Sequence, residues 1–212
     1  MLEIQYIQQA FYKMKNAINS FSKYVPREIV LNMTLHKKMA KLGVRPRQIT
    51  IFFSDIAGFT TICESLAPNE ILMMLSEYFS AMSKVIVESE GILLEFIGDA
   101  ILAIWNAPYD VRNHAIACMS ATLRMQTELQ ALRVKWKEKG YPEIHIRCGI
   151  HTDSVFVGNL GAPDRMKYGV MGDGVNLGKY CVAKRPTHET TSFHEERRTS
   201  MQHAPMSRSS NK

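Results

Sequence analysis

Gly91-Ile92-Leu93-Leu94-Glu95-Phe96-Ile97-Gly98-Asp99-Ala100-Ile101-Leu102-Ala103-Ile104-Trp105 carries two apolar runs hinged on Gly98-Asp99. Gly91 to Ile97 and Ala100 to Trp105 read as strands, and the Gly-Asp pair between them is a tight-hairpin signal. Before the hairpin, Ile71, Met74, Leu75, Tyr78, Phe79, Met82, Val85 and Ile86 recur at helical spacing, opened by Pro68-Asn69 and closed by Gly91. After it, Ala115, Cys118, Met119, Thr122, Met125, Leu129, Leu132 and Trp136 share the face of a second long helix that stops at Gly140-Tyr141-Pro142. Gln48 to Ser54 is a β-branched and aromatic run suited to a buried strand, and Ile144 to His151 and Val155 to Leu160 read as two further strands. The order is therefore β-α-β-β-α-β, which predicts an α+β domain of ferredoxin-like topology.

The ends differ from this middle. Ile4, Ile7, Phe11, Met14, Ile18 and Phe21 alternate three- and four-residue steps, the seam of a two-stranded coiled coil. Spacing alone leaves open a helix packed on its own domain. Pro26 ends the segment. From Lys179 onward there is one valine and no leucine or isoleucine, a composition that buries too little surface to offset ordering entropy. The predicted layout is a signalling or coiled-coil helix over 1–22, a linker over 23–47, a catalytic-type domain over 48–178 and a disordered basic tail over 179–212.

Bulk properties narrow the function classes. Apolar residues make up 46% of the 212, enough for a core, and the four scattered cysteines form no C-x-x-C pair, which fits reduced thiols rather than disulfides or zinc. The net charge of +6 is concentrated in the tail, where seven basic and three acidic residues leave +4 and only +2 for the first 178 residues. That distribution argues against nucleic acid as a partner. No apolar run is long enough to span a bilayer and no secretory leader is evident, so the expected location is cytoplasmic, or the cytosolic part of a longer membrane receptor.

Asp55 stands where the first strand runs out into Ile56-Ala57-Gly58-Phe59-Thr60, and Asp99 stands at the hairpin tip. The first strand and the central hairpin are neighbours in this topology, so the two carboxylates can converge. Hard cations take few carboxylates and complete their shells with substrate phosphates. A pair of such ions can activate one oxygen and stabilise another in an in-line displacement. The turn offers backbone N–H groups, and the small Gly58 lets a triphosphate approach closely.

Five ordered segments then carry a resemblance: Phe53-Ser54-Asp55-Ile56-Ala57-Gly58-Phe59-Thr60, Phe96-Ile97-Gly98-Asp99-Ala100, Arg147-Cys148-Gly149-Ile150-His151-Thr152, Val157-Gly158-Asn159, and Met171-Gly172-Asp173-Gly174-Val175-Asn176-Leu177. From about Phe21 to Leu177 the chain closely resembles the class III adenylyl/guanylyl cyclase catalytic domain. Tyr24-Val25-Pro26 resembles that family's linker between signalling helix and catalytic domain. The resemblance implies a head-to-tail dimer with active sites at the interface. It implies two Mg²⁺ or Mn²⁺ ions on Asp55, Asp99 and the Ile56 carbonyl, Arg147 on the triphosphate and Asn176 on the ribose. The implied reaction is attack of the ribose 3′-oxygen on the α-phosphorus, giving a 3′,5′-cyclic nucleotide and pyrophosphate.

Base choice falls on Glu95 and Gly169. Glu95 matches the position that is lysine in typical adenylyl cyclases and glutamate in guanylyl cyclases; a carboxylate accepts from guanine N1–H and N2–H₂ but leaves adenine N1 unsatisfied. Gly169 matches neither class. GTP is therefore favoured slightly and ATP stays open. Three departures accompany the match: Asp153 replaces a turn glycine, Tyr180 stands where the family's transition-state arginine belongs, and the family's last helix and strands give way to the polar tail, leaving the domain incomplete at its C-terminus. Two functions remain: a homodimeric cyclase, or a catalytically impaired homologue that dimerises and regulates a complete cyclase domain. A ferredoxin-like RNA-binding domain fails for want of the RNP1 aromatic signature.

Overall fold

Six consecutive buried residues, Ile49 to Ser54, place one strand at the middle of the sheet. The computed structural model describes residues 2–35, 37, 39–183 and 191–194. In chain order the elements are α1 (Leu2–Phe21), α2 (Arg27–Leu35), β1 (Gly43–Ile56), α3 (Phe59–Ser65), α4 (Pro68–Glu88), β2 (Ile92–Ile97), β3 (Ala100–Trp105), α5 (His114–Glu138), β4 (Ile146–Ala162), β5 (Arg165–Met171), α6 (Asp173–Ala183) and β6 (Thr191–His194). The strand order is β2-β3-β1-β4-β5, antiparallel from neighbour to neighbour, with β6 parallel to β4. β1 to β4, with α3 and α4 in one crossover and α5 in the other, form the expected β-α-β-β-α-β arrangement.

The two-residue period of the strands divides the core. Phe52, Ile101, Ala103, Trp105, Cys148 and Ile150 face α4 and α5, which bury Met74, Tyr78, Met82, Val85 and Ile86 from one helix and Cys118, Ala121, Met125, Leu129 and Trp136 from the other. Ile49, Ile51, Phe53, Leu102, Ile104, Val155 and Val157 form a second cluster, capped by Leu94, Tyr168, Val170 and Val175. Gly91 is required by close approach: a Cβ there would lie 2.5 Å from the Trp105 ring, whose Nε1–H donates to the Ser89 carbonyl at 2.8 Å. Gly98 adopts φ 64° at the hairpin tip, the left-handed conformation this two-residue turn requires.

Four readings are corrected. The two strands expected around Thr152 are one, because β4 stays in register with β1 through Ile49–Asp153 and Gln48–Ser154 and never loses its pleat phase. For the same reason β1 begins at Gly43; Pro46 is tolerated because β3 pairs only from Thr50 onward, leaving that stretch flanked by β4 alone. The tail expected to be disordered from Lys179 contains the end of α6 and strand β6, which pairs with the backbone of Cys148 to His151. Such pairing satisfies the open edge of β4 through main-chain groups and does not depend on apolar side chains. Residues 184–190 and 195–212 of that tail lie outside the described residues.

Residues 27–35, inside the segment read as a linker, form α2. The six seam residues of α1 are 53–70% exposed, so in a single chain this helix does not pack on the domain that follows it.

Candidate active site

The end of β1 turns a buried strand into a polar rim. Asp55 follows Phe53 on the face of the second cluster, and its cross-strand partner on β4 is Arg147. The pairing is bidentate: Arg147 Nε donates to Asp55 Oδ1 and Nη2 to Oδ2, both at 2.7 Å, with the two side chains about a quarter exposed. The guanidinium is held above its ordinary range first by its hydrogen bonds to Asp55, against a desolvation cost, and then by the charges of Asp55 and Asp99.

Asp99 comes to the same place from the hairpin. Its Oδ2 accepts the backbone N–H of Ile56 at 2.9 Å, which fixes the turn tip against the residue next to Asp55. The carboxylates of Asp55 and Asp99, the Ile56 backbone and Arg147 are thereby brought together at one end of adjacent strands. The chain then turns through Gly58, at φ 68° and ψ 25°, into α3, whose first N–H groups, from Phe59 and Thr60 on, have no partner within the helix. A Cβ at Gly58 would meet nothing within 4 Å, so glycine serves the left-handed backbone and leaves open space above it.

The donors suit a hard divalent cation. Two carboxylates and a backbone carbonyl are oxygen ligands, and no group of three His, Cys, Asp or Glu side chains exists among the described residues. A cation here would depend on phosphate oxygens or water to complete its shell, the usual condition for Mg²⁺.

Beneath the carboxylates, on the helix side of the sheet, lie residues that the sequence reading did not select. Tyr78 is fully buried and its hydroxyl has no hydrogen-bond partner; the same holds for Ser54 Oγ. The Tyr78 hydroxyl is pushed upward, first by burial and then by the carboxylates of Asp99 and Asp55, while Ser54 acts in the opposite direction without reaching hydrogen-bond geometry. Burial, then the charge of Asp55, pushes the Cys148 thiol up to about 12, so this cysteine stays protonated.

A second group of site residues gathers elsewhere. A register shift between Leu93 and Glu95 leaves Leu94 against the second cluster and sets Glu95 opposite Leu102. Glu95 Oε2 accepts from Lys167 Nζ at 3.0 Å. These residues belong to β2 and β5, opposite ends of the strand order, so the sheet curls around the second cluster to bring them together. Lys167 and Gly169 share one face of β5, and a Cβ at Gly169 would lie 4.0 Å from Lys167 Cε. The two-residue spacing from Gly169 was the available signal for Lys167.

Asn176 is exposed on α6, which docks closely on β1 and β4: a Cβ at Gly178 would lie 3.1 Å from the Phe53 ring. Asp153 Oδ1 accepts the N–H of Ser154 at 2.7 Å, and its Oδ2 lies 3.9 Å from Nε2 of the buried His151. The side chain of Tyr180 lies outside the described residues. Within one chain the carboxylate group and the Glu95 group share no hydrogen bond or ion pair among the described residues. A groove of about 630 Å³, lined by Ile29 and Met33 of α2, Lys41, Asn159 and Tyr168, contains no residue of either group.

Residues 44–184 match the sequence profile of the adenylate and guanylate cyclase catalytic domain. The chain is 36% identical over 175 residues to adenylate cyclase 1 of Rhizobium meliloti (strain 1021), covering 82% of this chain and 26% of that protein. It is 31% identical over 175 residues to adenylate cyclase of Anabaena cylindrica, covering 81% of this chain and 34% of that protein. The chain thus spans about a quarter to a third of the length of these curated relatives. Among solved structures it is similar to the guanylyl cyclase Cya2 (TM-score 0.64, 36% identity, 67% of this chain and 72% of that one). It is equally similar to the adenylyl cyclase CyaB from P. aeruginosa (TM-score 0.64, 32% identity, 67% of this chain and 74% of that one).

Proposed function

The chain belongs to the adenylate and guanylate cyclase catalytic domain family, and on that premise we propose that it converts a nucleoside triphosphate, GTP in preference to ATP, into a 3′,5′-cyclic nucleotide and pyrophosphate. The observation that supports this most directly is the convergence of Asp55 and Asp99 through the Ile56 N–H. Asp55, Asp99 and the Ile56 carbonyl are the groups to hold two Mg²⁺ or Mn²⁺ ions, which when bound supply Lewis-acid activation of the 3′-oxygen and neutralise charge on the triphosphate. Gly58, Phe59 and Thr60 present backbone N–H groups to the phosphates. Arg147 carries a permanent, forked positive charge whose second anion, after Asp55, is the triphosphate. The new bond joins the ribose 3′-oxygen to the α-phosphorus; the α–β bridging bond breaks, and the 3′-hydroxyl proton is lost.

Glu95 and Gly169 belong to the base site and Asn176 to the ribose site. Their separation from the carboxylates within one chain fits a site completed by a second subunit. The outward-facing seam of α1 supports the same dimer.

The second reading, a dimerising regulatory module, is supported by Tyr180, which stands where the family places an arginine. Purified chain incubated with Mn²⁺ and GTP or ATP, alone and mixed with a complete cyclase domain, separates the two. Cyclic nucleotide from the pure chain supports the enzyme, and product only from the mixture supports the module.

A further inference from the structure

Helix α6 rests on the sheet through two glycines one turn apart. A Cβ at Gly178 would lie 3.1 Å from the Phe53 ring and 3.9 Å from His151 Cβ, and one at Gly174 would lie 2.6 Å from Asp153 Oδ2. His151 and Asp153 are two residues apart on one face of β4, and two residues of strand match four of helix at about 6–7 Å. The helix therefore runs alongside β4 with a glycine above each of these side chains. Asn176 stands midway between the glycines, on the side turned away from the strand, and is exposed. We propose that Asp153 is a positioning residue: its side chain is the stop against which the first turn of α6 sits, and it sets where Asn176 is presented. This rests on the cyclase reading of Asn176.

Three observations carry it. The stop is itself held: Asp153 Oδ1 accepts the Ser154 N–H at 2.7 Å, and Oδ2 has Nε2 of the buried His151 at 3.9 Å behind it. The contact also involves the part of the side chain that cannot swing aside. A Cβ at Gly174 would lie 2.8 Å from Asp153 Cβ and 3.1 Å from its Cγ, so turning the carboxylate away would not clear it. Finally, the charge suits the place, since the carboxylate meets α6 in its first turn, where the helix dipole favours an anion. With Gly178 seated on Phe53, two residues before Asp55 on the same face of β1, the two contacts together fix the height and tilt of α6 over the strands that carry the site.

The test measures kcat and KM with Mn²⁺ and GTP on the full chain, and hydrogen exchange of the α6 amides, for wild type, Gly174→Ala, Asp153→Gly and the double variant. Alanine is the better helix former, so a loss in Gly174→Ala does not come from helix propensity. Each single substitution should lower kcat about tenfold at near-constant KM and quicken exchange. Gly174→Ala does so by pushing the turn off Asp153, and Asp153→Gly by leaving a gap beneath it. In the double variant the new methyl fills the gap, and kcat should recover to within about threefold of wild type. Asp153→Asn keeps the Cβ and should give Gly174→Ala no relief. The loss from Gly174→Ala should also vanish in an Asn176→Ala background, which has no side chain left to misplace. Losses that add in the double variant, an unchanged kcat in both single variants of an active chain, or a Gly174→Ala loss that persists without Asn176 overturn the inference. Wild type that forms no product while exchange quickens in the single variants and recovers in the double sinks the cyclase reading alone. No product with uniform exchange sinks both.

Discussion

Arg147 grips both oxygens of Asp55, Nε to Oδ1 and Nη2 to Oδ2 at 2.7 Å each, across a register that pairs the two residues directly. A metal ion and this guanidinium seek the same carboxylate oxygens. On the proposed reading, the ion gains Asp55 fully once a triphosphate offers Arg147 another anion. Arg147→Met should therefore bind Mn²⁺ alone about fivefold more tightly, the equivalent of one partly exposed ion pair. The same variant should lose roughly 10²–10³-fold in turnover. Paramagnetic titration of free Mn²⁺ measures the first effect, and equal affinity in both proteins would show that Arg147 does not compete.

Asp99 has a structural bond and a proposed catalytic one, and two substitutions separate them. Asparagine can still accept from Ile56 N–H, so Asp99→Asn should unfold near wild type while losing metal-dependent turnover. Asp99→Ala should lose turnover and also about 1–3 kcal/mol of stability, the cost of leaving a backbone donor unpaired. Urea denaturation with a cyclic-nucleotide assay reads both. Unimpaired turnover in either variant would remove Asp99 from the metal site.

The core was legible because it obeys periods. The alternating strand residues and the three-and-four spacing of Met74, Tyr78, Met82 and Val85 carry their burial in the sequence. The continuity of β4 was not legible, because Thr152-Asp153-Ser154 is composed like a turn and only pairing with Ile49 and Gln48 keeps it extended. β5 does carry the period of a half-buried strand, with Met166, Tyr168 and Val170 alternating with Lys167 and Gly169, but the run is short, and its place in the sheet comes from pairing with β4. Asp55 and Asp99 could be chosen because topology alone makes their strands neighbours. Lys167 carried only its two-residue spacing from Gly169, since its contact with Glu95 depends on the curl of the whole sheet.

Glu77 predicts an acid sensitivity unconnected with the proposed reaction. It accepts from Lys139 Nζ at 3.0 Å and Trp136 Nε1 at 2.9 Å, and pairs with Lys135 at 3.1 Å, linking α4 to α5. Those contacts, Lys139 first and Trp136 next, hold its carboxyl down from 4.5 to about 2. A carboxyl depressed in the folded state stabilises the fold fully above its unfolded value and loses that contribution as pH falls through the folded one. The melting temperatures of wild type and Glu77→Gln should therefore differ by a constant amount above about pH 5 and converge between 4.5 and about 2. A gap that stays constant down to pH 2 would contradict the assignment.

Tyr78 buries a hydroxyl with no partner under the carboxylates. Phenylalanine keeps the ring packed and removes an unpaired polar atom, so Tyr78→Phe should be neutral or stabilising by up to about 1 kcal/mol. Chemical denaturation decides it. A loss of more than about 2 kcal/mol would mean that the hydroxyl makes a bond in solution, with a buried water as its natural partner.

Glu95→Lys tests the base site from its acceptor side. The substitution sets a second ammonium against Lys167, where the native pair is 3.0 Å apart, and replaces the group that accepts from guanine N1–H. Adenine N1 accepts from an ammonium, so the ratio of kcat/KM for GTP over ATP should fall by roughly tenfold or more. Restoring opposite charges with Lys167→Glu in the same chain should relieve the repulsion and provide an acceptor for adenine N6–H. The double variant should then prefer ATP more strongly than Glu95→Lys alone, a coupling that two independent surface charges would not show. Equal GTP:ATP ratios in wild type, single and double variants would place base recognition away from both residues.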